Sequence, residues 1–385
     1  MKIMNFIVFL AVFLAIYGLA NYYIYSRGTE LFDRKSAASY VFTAVFLFVS
    51  LSYIVGRFLE KAAICAFSSV LIWIGSLWMA FMVYLLLPLF AVDIARFGDR
   101  FLHYIPGNFQ GSILTRRIAG SAVILASCAA VIFGYFNGSH PRIRTVDIAV
   151  KGKKPRIGSL NIVMVSDIHL GVIISNSRLT KMVEKINGLE PDIVLLAGDV
   201  VDEDLAPVIQ NNLGETLRNI RSRYGVFGIT GNHEFIGGVE PAVRYLSDHG
   251  ITMLRDEWIV VADAFTIVGR EDRSGRYFNG KERKALAAIL QGVRRDLPII
   301  MMDHQPFDLE DAVDNGIDVQ LSGHTHHGQM WPFNHITSMI YRISRGYARI
   351  GDSHFYVSAG YGSWGPPVRT GSVPEIVNIR LVFER

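Results

Sequence analysis

Five short clusters of histidine, aspartate and asparagine recur along this chain, each directly behind an apolar run: Asp167-Ile-His169, Gly198-Asp199, Gly231-Asn-His-Glu234, Asp303-His304 and Ser322-Gly-His-Thr-His-His-Gly-Gln329. Imidazole nitrogens and carboxylate oxygens are ligands for divalent transition-metal ions. His324 and His326 stand two apart after Ile317 to Leu321, so a strand ending there tips both rings over its carboxyl edge. A single histidine is more often a surface or structural residue than a ligand. Five clusters at five run endings point instead to a two-metal hydrolase. Cys65 and Cys128 both lie in apolar runs, which argues against a disulfide framework and against thiolate ligation, so nitrogen and oxygen would hold any metal.

The elements that must position these clusters are legible from about Thr145 onward, where short β-branched runs alternate with helical patterns as in a layered α/β domain. The expected strands are Asn161 to Val165, Ile193 to Leu196, Val226 to Thr230, Phe265 to Val268, Pro298 to Met302, Ile317 to Leu321, Phe355 to Ser358 and Ile376 to Phe383. Asn176 to Asn187 reads as a helix closed by Gly188, and Val239 to His249 as another closed by Gly250. In open α/β sheets ligands gather outside the carboxyl ends of the strands. The polar clusters fall at just those ends.

The N-terminal part is different in kind. Hydrophobic residues make up 51% of the 385-residue chain, too many for an ordinary soluble protein. Four stretches, Ile3 to Tyr25, Ala37 to Gly56, Ala62 to Val92 and Ile118 to Phe136, are uncharged and long enough to cross hydrocarbon as helices. The absence of ionisable residues within them argues against a transporter. In the fourth, Ala122, Ala126, Ala130 and Gly134 recur every fourth position, a small-residue face suited to packing on another span. The expected organisation is a membrane domain over 1–138, a basic linker and first strand over 139–158, and a catalytic domain over 159–385.

Residues 1 to 138 carry ten Lys/Arg against five Asp/Glu, and the remainder 28 against 29. A near-neutral C-terminal half argues against a nucleic-acid enzyme. With four spans, the N-terminus and the C-terminal half share one side, which holds nine basic residues (Lys2, Arg57, Lys61, and six from Arg142 to Arg156) against seven opposite, including Arg34. The positive-inside rule therefore favours a cytoplasmic catalytic half. The basic segment Arg142 to Arg156, Lys154 among it, is read as a solvated linker or as a contact with anionic headgroups.

Taken in order, Asp167-x-His169, Gly198-Asp199, Gly231-Asn232-His233-Glu234, His304 and Gly323-His324-x-His326 resemble the five motifs of the calcineurin-like metallophosphoesterase superfamily. The Gly-His-Thr-His-x-Gly-Gln form, with Gly360-Tyr-Gly-Ser-Trp-Gly-Pro-Pro-Val-Arg-Thr-Gly371 and Pro374-Glu-Ile376, is similar to its bacterial membrane-associated branch. His327 departs from that branch, which usually has glycine there. The resemblance implies a four-layer α-β-β-α sandwich preceded by four transmembrane helices, in a multi-pass protein of a bacterial inner or plasma membrane.

It implies a ligand set as well: Asp167, His169 and His326 for one metal ion, Asn232, His304 and His324 for a second, and Asp199 bridging them. Mixed imidazole and oxygen ligation suits Mn, with Fe, Zn or Co as alternatives, better than Mg. A water shared by two such cations becomes the nucleophile as hydroxide, so no serine or cysteine nucleophile is needed. His233 matches the family position that faces the substrate and protonates the leaving oxygen or stabilises charge. Its orienting partner is not legible.

Arg369 is a candidate phosphate-binding residue on its Gly- and Pro-shaped loop, with pairing to Glu375 as the alternative. Asp202, Glu203 and Asp204 read as a solvated loop, with support of the metal site by one member as the alternative. Met330 to Phe333 is either core or an apolar lip for a lipid-bearing substrate. His327 is either substrate-facing or superficial; His249, His335, His354, His103 and His140 receive no role. The expected function is hydrolysis of a phosphoester or pyrophosphate in a lipid-linked substrate, one version being a nucleotide-activated acylated sugar of lipid A synthesis. The bilayer and the phosphorylated substrate are the expected partners. A phosphodiesterase for soluble substrates, merely anchored, and a non-catalytic sensor or scaffold are the competing readings; the completeness of the ligand set speaks against the last.

Overall fold

The structure is a computed structural model that describes residues 2–33, 35–104, 112–153 and 155–384. Arg34 and Lys154 lie outside the described residues, as do the side chains at 2–7, 9 and 10, where the first expected span begins. The chain separates into two compact units, residues 1–136 with 365–368, and residues 137–364 with 369–385.

The first unit is helical: α1 (Lys2–Thr29), α2 (Ala37–Ala62), α3 (Ala66–Leu102) and α4 (Ile113–Ser139). Among the described residues three helices, α2, α3 and α4, are long and apolar enough to cross a membrane, where the sequence leads one to expect four. The first expected span, Ile3 to Tyr25, falls within α1, several of whose side chains are outside the described residues. α3 continues past the expected end at Val92, which brings Asp93 into the helix, where it accepts from Tyr23 and Arg27. The packed face of α4 is the expected one only in part. Val123, Ser127 and Val131 are buried, with Ser127 Oγ donating to Tyr84 O at 2.7 Å; of the small residues Gly134 is buried and Ala130 half-buried, whereas Ala122 and Ala126 are exposed. A hydroxyl that can satisfy a carbonyl outweighs the stripe of small residues in choosing the interface.

The second unit is built on two six-stranded sheets. Its strands are β1 (Arg142–Lys151), β2 (Ser159–Val165), β3 (Ile193–Ala197), β4 (Val226–Ile229), β5 (Ile251–Met253), β6 (Glu257–Val261), β7 (Phe265–Gly269), β8 (Ile299–Met302), β9 (Val319–Ser322), β10 (Gly346–Ile350), β11 (Ser353–Val357) and β12 (Glu375–Glu384). One sheet runs β1-β12-β2-β3-β4-β5 and the other β10-β11-β9-β8-β7-β6. The helices are α5 (Asn176–Asn187), α6 (Ala206–Gln210), α7 (Leu213–Leu217), α8 (Asn232–Gly237), α9 (Val239–Asp248), α10 (Gly275–Phe278), α11 (Leu286–Ile289), α12 (Leu309–Asp314) and α13 (Phe333–Ile340).

Three apolar clusters define the layers. Ile162, Met164, Leu195 and Ile229 of the first sheet meet Ile267, Ile300 and Leu321 of the second. Val163, Val194 and Leu196, on the other face of the first sheet, pack on Leu179, Met182 and Ile186 of α5. Val268, Ile299 and Met301 pack on Leu286 and Leu309 of α11 and α12. Alternate residues of one strand serve opposite layers, so each strand is buried on both faces and reads as an unbroken apolar run. This is the expected four-layer arrangement, with mixed sheets. Residues 142–151, the heart of the basic segment, are not a solvated linker: they pair in parallel with β12 over ten residues. Their even-spaced buried positions, Ile148 and Val150, point into the inter-sheet core.

Candidate metal centre

β2, β3 and β4 are mutually parallel, as are β8 and β9, so their carboxyl ends deliver five loops from two sheets. The loops continue the pairing past the strand ends. Asp167 N donates to Gly198 O at 3.0 Å and His169 N to Asp199 O at 3.0 Å, while Gly323 N donates to His304 O at 2.9 Å. Two contacts tie the sheets together: His324 N to Asp167 Oδ1 at 2.8 Å and His304 Nδ1 to Ala197 O at 2.8 Å. The motif glycines are required by close approach. A Cβ on Gly323 would lie 2.3 Å from Asp167 Oδ2, and one on Gly198, whose φ is +86°, 2.5 Å from His304 Nδ1.

Every acidic and imidazole ligand expected from the sequence arrives in one cluster, buried except for the half-buried His324. Ligand atoms of Asp167, His169 and His326 converge, as do those of Asp199, His304 and His324. His169 Nε2 and His326 Nε2 are 3.0 Å apart, and His326 Nε2 lies 3.6 Å from Asp167 Oδ1. His304 Nε2 is 3.1 Å from Asp199 Oδ2, and Asn232 Oδ1 faces His324 Nδ1 at 2.8 Å. Asp167, His169, Asp199, His324 and His326 all have left-handed backbone, with φ from 44° to 70°. Five strained non-glycine residues in one site mark a structure that over-determines them for function.

The donor set fits divalent cations, and His304 is the clearest test. Its Nδ1–H is committed to a carbonyl, while its buried Nε2 makes no hydrogen bond and looks at a carboxylate. Such a ring is either itself a cation or faces one. Burial opposes the charged form, but the Asp199 carboxylate outweighs it and lifts His304 well above its ordinary range. Burial, and next the Arg369 charge, push His326 well below its own.

His233 also faces this centre. Its backbone N–H donates to Asp199 Oδ1 at 2.8 Å and its Nδ1 lies 3.1 Å from Asp202 Oδ1. Burial disfavours the imidazolium, but Asp199 and Asp202 outweigh it and raise His233 to about 9. Asp202 is thus the orienting partner that the sequence did not disclose; it also stands 3.6 Å from His169 Nδ1. Glu234 has a role that the motif alone does not show. Its carboxylate accepts from the N–H groups of Asp199, Val201 and Gly231 and so clamps two ligand loops. Burial, and next the charge of Asp199, push it up to about 7. The exposed indole of Trp364 meets the His233 ring edge-on at 6.2 Å.

Arg369 is placed differently from the expectation. Its guanidinium is fully buried and donates to Gly362 O, Ala359 O, Ser372 Oγ and His326 Nδ1, the last at 2.8 Å. With its donors occupied by protein acceptors it holds His326 and the 359–372 loop rather than a substrate phosphate. Glu375 instead accepts from Ala359 N at 2.9 Å. Burial brings Arg369 down to about 9. His327 is buried against Ser344 Oγ at 3.0 Å, and burial pulls it down to about 4. Its φ of 46° explains why glycine is usual there. Asp303 turns away from the ligands and pairs with Arg283 at 2.9 Å. His249 and His354 bond to Tyr245 O and Tyr347 OH.

Comparison with known proteins agrees with this geometry. The pattern of the calcineurin-like phosphoesterase family matches residues 160–328, which hold all seven expected ligands. The chain belongs to the calcineurin-like metallophosphoesterases. A Campylobacter jejuni metallophosphoesterase is 28% identical over 98% of this chain and 99% of its own length. One from Helicobacter pylori is 31% identical over 65% of this chain and 66% of its own length. A cattle protein described as a transmembrane protein with a metallophosphoesterase domain is 31% identical over 71% of this chain and 66% of its own. The chain thus spans about two thirds of the length of the Helicobacter and cattle relatives. As a metallophosphoesterase it has a centre for divalent metal ions.

Proposed function

We propose that this metallophosphoesterase is a multi-pass membrane protein that hydrolyses a phosphoester or pyrophosphate bond in a lipid-linked substrate. The observation that supports this most is the pair of buried ligand clusters in a chain that also carries apolar helices of membrane-spanning length. Asp167, His169 and His326 would hold one cation and Asn232, His304 and His324 a second, with Asp199 shared; Mn²⁺ is the first choice, ahead of Fe, Zn or Co. Bound there, the cations supply Lewis-acid charge and lower the pKa of water.

The chain's own residues do the rest. His233, held protonated by Asp202 and Asp199, is placed to donate a proton to the leaving oxygen. Glu234 and Arg369 keep the ligand loops in register. The bilayer is the partner that concentrates the substrate, with the catalytic unit on the cytoplasmic side. A nucleotide-diphospho acylated sugar is the specific substrate to try first.

The test is Mn²⁺-dependent hydrolysis, in detergent, of that acylated sugar nucleotide and of bis(p-nitrophenyl) phosphate by wild type and His233→Ala. Turnover of the acylated substrate, lost in the variant, is the expected result. Turnover of the aryl diester alone would overturn the lipid-linked substrate and keep the hydrolase.

A further inference from the structure

α13 is an anomaly in a well-packed unit. None of its eight residues is buried, yet it carries Phe333, Ile336, Met339 and Ile340, exposed by 39, 48, 79 and 59% respectively, and Trp331 just before it is 50% exposed. Contiguous exposed apolar surface of this kind marks an interaction site.

Its position is set by the metal centre at both ends. The helix starts five residues after Gly328 and ends at Tyr341, whose ring meets the His324 ring at 6.1 Å. Just beyond, Ser344 O accepts from Thr325 Oγ1 at 2.6 Å and Ser344 Oγ bonds His327 Nδ1. The apolar helix is therefore the outer wall of the loop that carries His324 and His326.

The occupant follows from a second set of contacts, on the loop from Arg369 to Ser372. Trp331 N donates to Thr370 Oγ1 at 2.9 Å, and Gly371 packs against Met330, Trp331 and Asn334. The same loop accepts Asn137 Nδ2 on Arg369 O at 2.8 Å and on Ser372 O at 3.0 Å. Asn137 belongs to the last turn of α4, a helix of membrane-spanning length and composition. The segment before α13 and Asn137, the first residue of this unit, thus share one four-residue anchor. Trp331 before α13 and Arg342 and Arg345 after it supply the aromatic and basic flanks of a helix lying in an interface.

We infer that α13 and Trp331 enter the headgroup layer of the bilayer that the chain's own helices cross, setting the metal centre against the membrane surface. This rests on the hydrolase reading above only for its consequence: the phosphoester hydrolysed is the head of an amphiphile whose apolar part stays in the leaflet. The docking itself is independent of catalysis.

The test places an environment-sensitive dye at Met339→Cys, and as control at the exposed Arg221→Cys, in the full chain with Cys65→Ser and Cys128→Ser. The proteins are reconstituted in vesicles of phosphatidylethanolamine and phosphatidylglycerol with nitroxide-labelled lipid. Strong quenching at residue 339 and little at 221 is the expected result. Equal quenching at the two positions, or disulfide-linked pairs of Met339→Cys chains before labelling, would overturn it, the latter in favour of a second copy on α13. In parallel, Ile336→Asp/Met339→Asp should lower turnover of a vesicle-embedded phosphodiester about tenfold and leave bis(p-nitrophenyl) phosphate turnover in detergent unchanged. Equal loss on both substrates would sink the amphiphile consequence. Selective quenching with no hydrolysis of either substrate by wild type would leave the docking standing and remove the hydrolase reading.

Discussion

His304 and His326 are both buried candidate ligands behind strand ends, but the groups behind their rings are opposite in kind. A carbonyl, Ala197 O, backs His304 at 2.8 Å, whereas a guanidinium donor, Arg369 Nη2, backs His326 at 2.8 Å. The carbonyl holds a proton on Nδ1 and leaves Nε2, which faces Asp199, as the ring atom open to a cation. The donor occupies the Nδ1 lone pair and leaves the proton of the neutral ring on Nε2, facing His169. On the first side a cation displaces only the proton that Asp199 favours on His304 Nε2. On the other, the proton must leave His326 Nε2 while Arg369 blocks Nδ1.

The largest expected effect removes what the halves share. Asp199→Asn should empty both halves, measured by elemental analysis, and lower turnover by about a thousandfold or more; retention of a full metal complement would show that the halves do not share Asp199. Next comes the comparison itself. In a titration of metal-free protein with Mn²⁺ followed by calorimetry, the half containing His304 should fill about tenfold more tightly than the half containing His326. His304→Ala should abolish the tight phase and His326→Ala the weak one; the reverse assignment would break the argument.

Arg369→Met separates support from ligation. It strips Ala359 O, Gly362 O and Ser372 Oγ of a buried donor, at roughly 1–3 kcal/mol for each group left unsatisfied, so thermal unfolding should move down by many degrees. The weak metal phase should change and the tight one persist.

A smaller effect concerns pH. In the metal-free chain His233, raised to about 9, holds a proton that the unfolded chain loses near 6.5. Its contribution to stability is therefore full below about pH 6.5 and is lost as pH rises through about 9. Asp202→Asn should end that loss at lower pH, read from unfolding midpoints across a pH series in chelator. Smallest of all, His327→Gly relieves a left-handed backbone worth roughly 1–2 kcal/mol and loses the Ser344 contact. The net change in unfolding midpoint should be close to zero.

Much of the catalytic unit was legible because its information is local. A strand buried on both faces must be a continuous apolar run, so Ile193 to Ala197 and Ile299 to Met302 announce themselves. β5, β6 and β10 were not legible, being short or only partly buried. β1 was expected only as a first strand somewhere in 139–158, its bounds blurred by charge: on a strand half exposed to solvent, three basic residues can sit among the buried Ile148 and Val150 without spoiling the pairing. The candidate ligands could be picked out because each lies two to four residues past a strand end.

By itself, the sequence determined which residues are candidate ligands, the order in which they come and the change from a helical, lipid-compatible part to a layered α/β part. These follow from residue type and spacing, which act over a few positions. Only the tertiary structure decided what stands behind each ligand: Arg369 behind His326, Asp202 beside His233, Glu234 clamping two loops, and α13 left apolar and exposed at the edge of the centre. Those relations join segments as many as 43 residues apart, or bring one loop against both the end of α4 and the start of α13. Such juxtapositions depend on strand order and on which carbonyls remain to be satisfied after the sheets have formed, and no local pattern in the chain encodes them.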